Sequence, residues 1–208
     1  DLMRAFQKIF RKSGIPIAYS GGFSPHQVFS IAAPLPVGMT SEGEYLDLKL
    51  ETTYDLEKLL TAIQGSCPKG LIIQSVVVLD EEEIPAMAAV SAAKYRIHQR
   101  EPFFTAEKIS DFASRDSIVI RKKTKKGLWL DFDIKPGILQ ITPTTDNNVL
   151  MTLASGSVLN IKPEAVFEAY CEFIGQSYEP RNFLIHRLEL YHGDTDLIPL
   201  STPIKEVF

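Results

Sequence analysis

Nine of the 22 basic residues fall in two short clusters, and clustered cations are anion-binding chemistry. Arg4, Lys8, Arg11 and Lys12 recur at the spacing that puts side chains on one arc of a helix. Arg121, Lys122, Lys123, Lys125 and Lys126, with Thr124 and Gly127 among them, make a basic tip between two strand-like segments. Lys and Arg grip phosphate oxygens, and a phosphate backbone binds such clusters by releasing counterions. The plainer reading is a solvated helix face plus a hairpin whose lysines discourage edge pairing. Five positive charges within six residues repel one another unless water or an anion screens them.

A second group of residues lies in a glycine loop, Tyr19-Ser-Gly-Gly-Phe-Ser-Pro-His26. Tyr19, Ser20, Gly22, Phe23, Ser24 and His26 are its candidate substrate-reading residues. Gly21-Gly22 lets backbone N–H groups approach an anion, or simply makes a tight turn. His26 is the weak catalytic candidate, as an acid or base for metal-free RNA cleavage. No GxSxG elbow surrounds Ser20 or Ser24, so acyl transfer is disfavoured. Tyr19, Phe23 and Trp129 are candidates for stacking on bases, though the plainer and preferred reading of Trp129 is a cap on a neighbouring element. His98, His186 and His192 are scattered without metal-ligand spacing, so no metal site is expected. No P-loop or GxGxxG occurs. The two cysteines, Cys67 and Cys171, read as reduced thiols; three closely spaced thiolates, which a radical-SAM cluster requires, are not available.

These residues need elements to hold them. Residues 2–12 read as an amphipathic helix, with Leu2, Met3, Phe6, Ile9 and Phe10 opposite the basic arc and Gly14 as its stop. Residues 28–37, broken by two prolines, read as an edge strand or extended segment. Residues 44–51 alternate with Leu46, Leu48 and Leu50 inward. A helix over 54–64 and a buried strand over 71–79 follow. Asp80-Glu-Glu-Glu-Ile-Pro85 then marks a solvated linker. The second half predicts a strand at 93–100 and a helix at 105–114 capped by Thr105. A hairpin over 117–122 and 128–135 and strands at 138–143 and 148–154 come next. A helix over 163–174 and a last strand over 182–191 complete it. The helix buries Val166, Phe167, Tyr170, Phe173 and Ile174.

The recurring order predicts an α+β chain of two tandem ferredoxin-like (βαββαβ) domains. The first, 1–80, lacks its leading strand, as a truncated start would produce; 81–91 is the linker; 92–208 is the second domain. Tyr45-Leu-Asp-Leu-Lys-Leu50 echoes Trp129-Leu-Asp-Phe-Asp-Ile134. The composition, 45% hydrophobic and 23% charged, is that of a globular soluble protein, expected in the cytoplasm. The longest apolar stretch is too short for a membrane span, and no signal peptide is visible. A net charge of −4 does not by itself announce a nucleic-acid binder; the distribution matters more than the sum, and it is uneven.

Several motifs in order resemble a known family. Asp1-Leu-Met-Arg-Ala-Phe6, Gly14-Ile-Pro-Ile-Ala-Tyr-Ser20, Gly22-Phe-Ser-Pro-His26, Pro34-Leu-Pro-Val-Gly38 and Ser41-Glu-Gly-Glu-Tyr-Leu-Asp47 carry the likeness in the first half. Lys94-Tyr-Arg96, Thr124-Lys-Lys-Gly127 and Lys162-Pro-Glu164 extend it. Together they are similar to the radical-SAM-linked family of unknown function, the DUF2344 domain. Ser24 stands where that family usually has Asn, and the family pattern begins with a strand and a Ser-His-Leu ahead of Asp1. The resemblance implies a radical-SAM partner that carries the iron–sulfur cluster and SAM, with no cofactor in this chain. The expected role is binding RNA for that partner in RNA modification. The alternatives are a metal-free RNA-processing nuclease and a purely protein-docking domain. Tandem ferredoxin-like endoribonucleases share the expected architecture, by analogy of fold alone.

Overall fold

A computed structural model describes residues 2–80, 82–100, 105–124, 126–144, 147–193 and 195–202. The chain is a mixed α+β protein whose described residues divide into two compact units. Residues 2–34 and 45–87 belong to the first, and 35–44 with 88–202 to the second.

In the first unit, helix α1 spans Leu2–Ser13. Ile9 and Phe10 are buried on its apolar arc, while Arg4, Lys8, Arg11 and Lys12 are exposed. Gly14, at φ +68°, ends it in the left-handed conformation that favours glycine. Strands β1 (Phe29–Ile31) and β3 (Leu46–Leu48) pair antiparallel, Phe29 opposite Leu48 and Ile31 opposite Leu46. Helix α2 (Leu56–Gln64) starts at Asp55, whose carboxylate accepts from the Lys58 N–H at 2.8 Å, and Gly65 follows its end. The core is Ile9, Phe10, Ile15, Ile17, Leu59 and Ile63, with Leu46, Leu48 and Leu50 packed against it as the alternation predicts. Phe10 meets Phe29 edge to face, centroids 5.2 Å apart.

The buried strand expected over 71–79 does not form. Leu71, Ile73 and Val76 pack on the core, whereas Ile72, Val77, Val78 and Leu79 are exposed, and none of 71–79 joins a strand ladder among the described residues. The apolar composition is satisfied by three contacts, and Gln64 ties the start of the segment by its side-chain amide to Leu71 and Ile73. The solvated linker differs too. A helical turn, α3 (Ala86–Ala89), sits in it, and the Asp47 carboxylate accepts from the Ala86 N–H at 2.8 Å.

The second unit is built on a six-stranded sheet. Its long strands are β4 (Ala92–Gln99), β7 (Ile138–Pro143), β8 (Asn148–Ala154) and β9 (Phe183–His192). They lie antiparallel in the order β9-β4-β8-β7. Short strands β10 (Ile198–Pro199) and β2 (Thr40–Ser41) both pair with β9, β2 in parallel. Helices α4 (Ala106–Ala113) and α5 (Pro163–Phe173) complete the unit; Thr105 caps α4 by accepting from the Lys108 N–H. Phe167 of α5 stacks on Phe183, and Phe112 of α4 meets Tyr170 edge to face, so both helices lie on the face that holds Tyr95 and Ile97. The buried stripe of α5 is rotated from the one predicted. Val166, Phe167 and Tyr170 are buried, but Ala169 and Cys171 replace Phe173 and Ile174.

Strands β5 (Val119–Lys123) and β6 (Trp129–Asp133) form a separate two-stranded ribbon, as the hairpin signal predicts.

Candidate anion-binding surfaces

The ribbon carries its charge on side chains exposed to water: Arg121, Lys122, Lys123 and Lys126 are all exposed. Lys125 lies outside the described residues. The register places Lys123 opposite Trp129 and Arg121 opposite Asp131, so these four share one face. The Arg121 guanidinium stands 5.8 Å from the Trp129 ring centroid and the Lys123 ammonium 5.9 Å. On the other face Lys122 lies 5.4 Å from the Phe132 ring. Trp129 is 57% exposed, so a flat aromatic surface flanked by two cations faces solvent. Arg121 is only loosely compensated, its Asp131 partner being 3.8 Å away.

Two carboxylate bonds fix the ribbon's base. Asp133 accepts from the N–H groups of Ile118 (2.9 Å) and Lys135 (3.0 Å). The Lys135 and Ile118 amides hold the Asp133 carboxyl below its ordinary range. The tip closes where the Thr124 hydroxyl accepts from the Leu128 N–H at 3.1 Å.

In the first unit, Arg4, Lys8 and Lys12 line an open cleft of about 550 Å³ with Ser66, Cys67 and Pro68 from the turn after α2. Arg11, though on the same arc, does not line it. The spacing of four residues stacks the three cations along one side of the cleft. Burial pushes the Cys67 thiol up.

The Tyr19–His26 loop is a spliced excursion from an otherwise continuous strand. Ile17 faces Leu50 and Phe29 faces Leu48, while Tyr19 bridges Gln27 across the neck. Ala18, Val28 and Lys49 close that neck with three backbone bonds of 2.8, 2.8 and 3.0 Å. The loop beyond it stands in solvent, and Phe23 is fully exposed. Gly22 sits at φ +98°, which a side chain rarely adopts. The Ser20 hydroxyl and His26 Nδ1 are 2.8 Å apart, and the same hydroxyl accepts from the His26 N–H at 3.1 Å. The neck's Gln27 is buried, and neither side-chain amide atom has a hydrogen-bond partner among the described residues. Ser24 and Tyr19 are exposed near the tip and neck. The loop thus brings Ser20 and His26 together.

Sequence reasoning missed a buried polar cluster in the second unit. Arg187 of β9, 3% exposed, makes two 3.0 Å bonds to the carboxylate of Glu44 and stands 5.8 Å from the Tyr95 ring. Burial pushes the Glu44 carboxyl up and the Arg187 charge works against that. Gly43 runs so close to β9 that a Cβ there would lie 2.4 Å from the Leu188 carbonyl oxygen. On the opposite face of β9, His186 places its Nδ1 2.7 Å from the Thr40 hydroxyl and its Nε2 3.6 Å from Glu42. The only sequence signal was the run Ser41-Glu-Gly-Glu44; its partner strand lies some 140 residues on.

No group of His, Cys, Asp and Glu among the described residues is arranged to hold a metal ion, and no helix among them is long and apolar enough to cross a membrane. No curated protein matches the chain. A family model matches residues 1–163, which include α1, the loop, the strap around Glu44 and the basic ribbon. By that match the chain belongs to the DUF2344 family, described as an uncharacterized protein conserved in bacteria.

Proposed function

We propose that this chain is an RNA-binding module that presents its substrate to a separate radical-SAM enzyme in RNA modification, in the cytoplasm. The observation that carries the binding half is the ribbon: Trp129 lies exposed between Arg121 and Lys123, with two more described lysines around it. An exposed aromatic face stacks on any base while flanking cations track the backbone. The cleft lined by Arg4, Lys8 and Lys12 supplies a second set of cations. The partner half rests on the family resemblance and on the chain's cysteine count, which leaves the iron–sulfur cluster and SAM to the partner.

The strand order β9-β4-β8-β7, with α4 after β4 and α5 after β8, supports a ferredoxin-like reading of the second unit, the ribbon being inserted after α4. The first unit shares the order helix, strand, strand, helix, which supports reading it as a second copy of that plan.

The test is a salt series of RNA-binding measurements on the chain and on a Lys122→Ala, Lys123→Ala, Lys125→Ala, Lys126→Ala variant. Log affinity of the parent should fall with log salt by ~0.7 per phosphate contacted on single strands, and the variant should show a flatter slope and weaker binding. Equal slopes and affinities would refute the ribbon's role. A nuclease reading is favoured by the Ser20–His26 pair, which puts a proton donor and acceptor together in the loop. Cleavage of RNA by the isolated chain, lost in His26→Ala, would establish it instead.

A further inference from the structure

The six-stranded sheet carries helices on the face that holds Tyr95, Ile97 and Phe183. Strand alternation sends Lys94, Arg96 and His98 of β4 to the other face, and Arg100 continues the alternation one residue past the strand. Arg96, His98 and Arg100 are exposed and Lys94 is half-buried. The registers add neighbours on the same face: His186 lies opposite Arg96, and Asn148 and Leu184 flank His98 on its two sides. Neither Lys94, Arg96 nor Arg100 has an ion pair or a side-chain hydrogen bond among the described residues. The acidic groups nearby are Glu42, 3.6 Å from His186, and Glu189, in register with Lys94.

We infer that this open sheet face binds single-stranded RNA, with the β4 row following the backbone and Arg96 and His98 stacking on bases. The inference rests on the reading that the ligand is RNA, and it places a contact surface apart from the ribbon and the α1 cleft. Alternate residues of a strand are about 6.6 Å apart, so the row offers a cation at a step comparable to that of successive phosphates on an extended strand. The guanidinium of Arg96 and the imidazole of His98 are flat groups, and single-stranded bases stack on such planes. His98 Nδ1 lies 3.2 Å from the Asn148 side-chain oxygen, so the ring is held in place. Exposed Leu184 supplies apolar surface on the other side of His98. An acidic protein would use the charges but leave the flat groups of Arg96 and His98 without a role.

The experiment is fluorescence anisotropy of the full chain with a short labelled single-stranded RNA across a salt series. The variants are Arg96→Ala/His98→Ala, Arg96→Lys/His98→Gln and the lysine variant of the ribbon. Arg96, His98, Lys122, Lys123 and Lys126 are all exposed, and circular dichroism checks that each variant is folded. Losing about two stacked bases should weaken binding tenfold or more in Arg96→Ala/His98→Ala, with a salt slope smaller by about one contact. Arg96→Lys/His98→Gln should keep the slope and lose affinity, because the charge stays while the guanidinium plane and the aromatic ring go. If the chain binds RNA, the ribbon variant is weakened and both sheet variants match the parent, the sheet inference is wrong and the RNA reading stands. If the parent binds no RNA, both fail. If it instead binds a polyglutamate peptide and loses that in Arg96→Ala/His98→Ala, the face is a protein-docking surface and the inference is overturned.

Discussion

Replacing Arg187 by Met tests whether the polar cluster of the second unit holds the 35–44 strap in place. The side chain is 4% exposed and its Glu44 partner 28%. Breaking a buried pair by removing one member costs about 3–5 kcal/mol, because the other charge is left stranded. Glu44 reaches water over more than a quarter of its surface, so its charge is partly solvated and the lower end, about 3 kcal/mol, applies. Loss of the cation beside the Tyr95 ring, 5.8 Å from the guanidinium, adds roughly 0.5–1 kcal/mol. For a chain of this length each kcal/mol moves Tm by about 2–4 °C, so the expected fall is roughly 10 °C, read by calorimetry or thermal circular dichroism. Changing Glu44 to Gln as well removes the stranded charge. The double variant should therefore recover about 2 kcal/mol relative to simple addition of the two single losses. A loss below about 1 kcal/mol for Arg187→Met, or strict additivity in the cycle, would refute the account of a coupled buried pair.

Gly43→Ala should destabilise by about 1–3 kcal/mol in urea unfolding, since the new methyl would meet the backbone of Leu188 and Glu189 rather than a side chain that can turn away; an unchanged midpoint would show that the strap shifts freely. The Asp133 carboxyl is held below its ordinary range by the Lys135 and Ile118 amides, so its contribution is present above its unfolded value and lost as pH falls through the lower folded value. Asp133→Asn should therefore lower stability at neutral pH and flatten the pH dependence below about pH 4, checked by urea titrations at several pH values; parallel pH profiles would count against it. Trp129→Ala should weaken RNA binding by about 1–3 kcal/mol while leaving Tm nearly unchanged, given how exposed the ring is; binding equal to the parent would remove Trp129 from the interface.

Local order was readable where one residue type decides it. Thr105 starts α4, Gly14 stops α1, and the Leu46–Leu50 alternation faces the core, whereas the cap at Asp55 fell inside the helix expected over 54–64. Both basic clusters lie in the elements expected to carry them, apart from Lys125 outside the described residues. What stayed hidden depends on pairing between distant segments. Residues 71–79 have the composition of a buried strand, but a strand needs a neighbour to hydrogen-bond, and composition cannot supply one. The prolines at 34 and 36 announce an extended segment, yet nothing local says that Thr40 and Ser41 lie beside His186 and Arg187. The cations of β4 were hidden differently. Spaced two apart among Tyr95, Ile97 and Gln99, they form no run, and become a row only when the strand alternates.

The neck beneath the Tyr19–His26 loop also bears on how such a protein diversifies. Between the pairs Ile17–Leu50 and Phe29–Leu48, one strand advances two residues and the other twelve. Both Ile17 and Phe29 still turn toward the same core, so the ten additional residues leave the inward–outward parity intact. The three bonds among Ala18, Val28 and Lys49 close the sheet below whatever is inserted. Residues of the loop can therefore be exchanged, lengthened or shortened in even steps without the hydrophobic layer registering the change. The loop's sequence can drift while the first unit's packing is inherited unaltered.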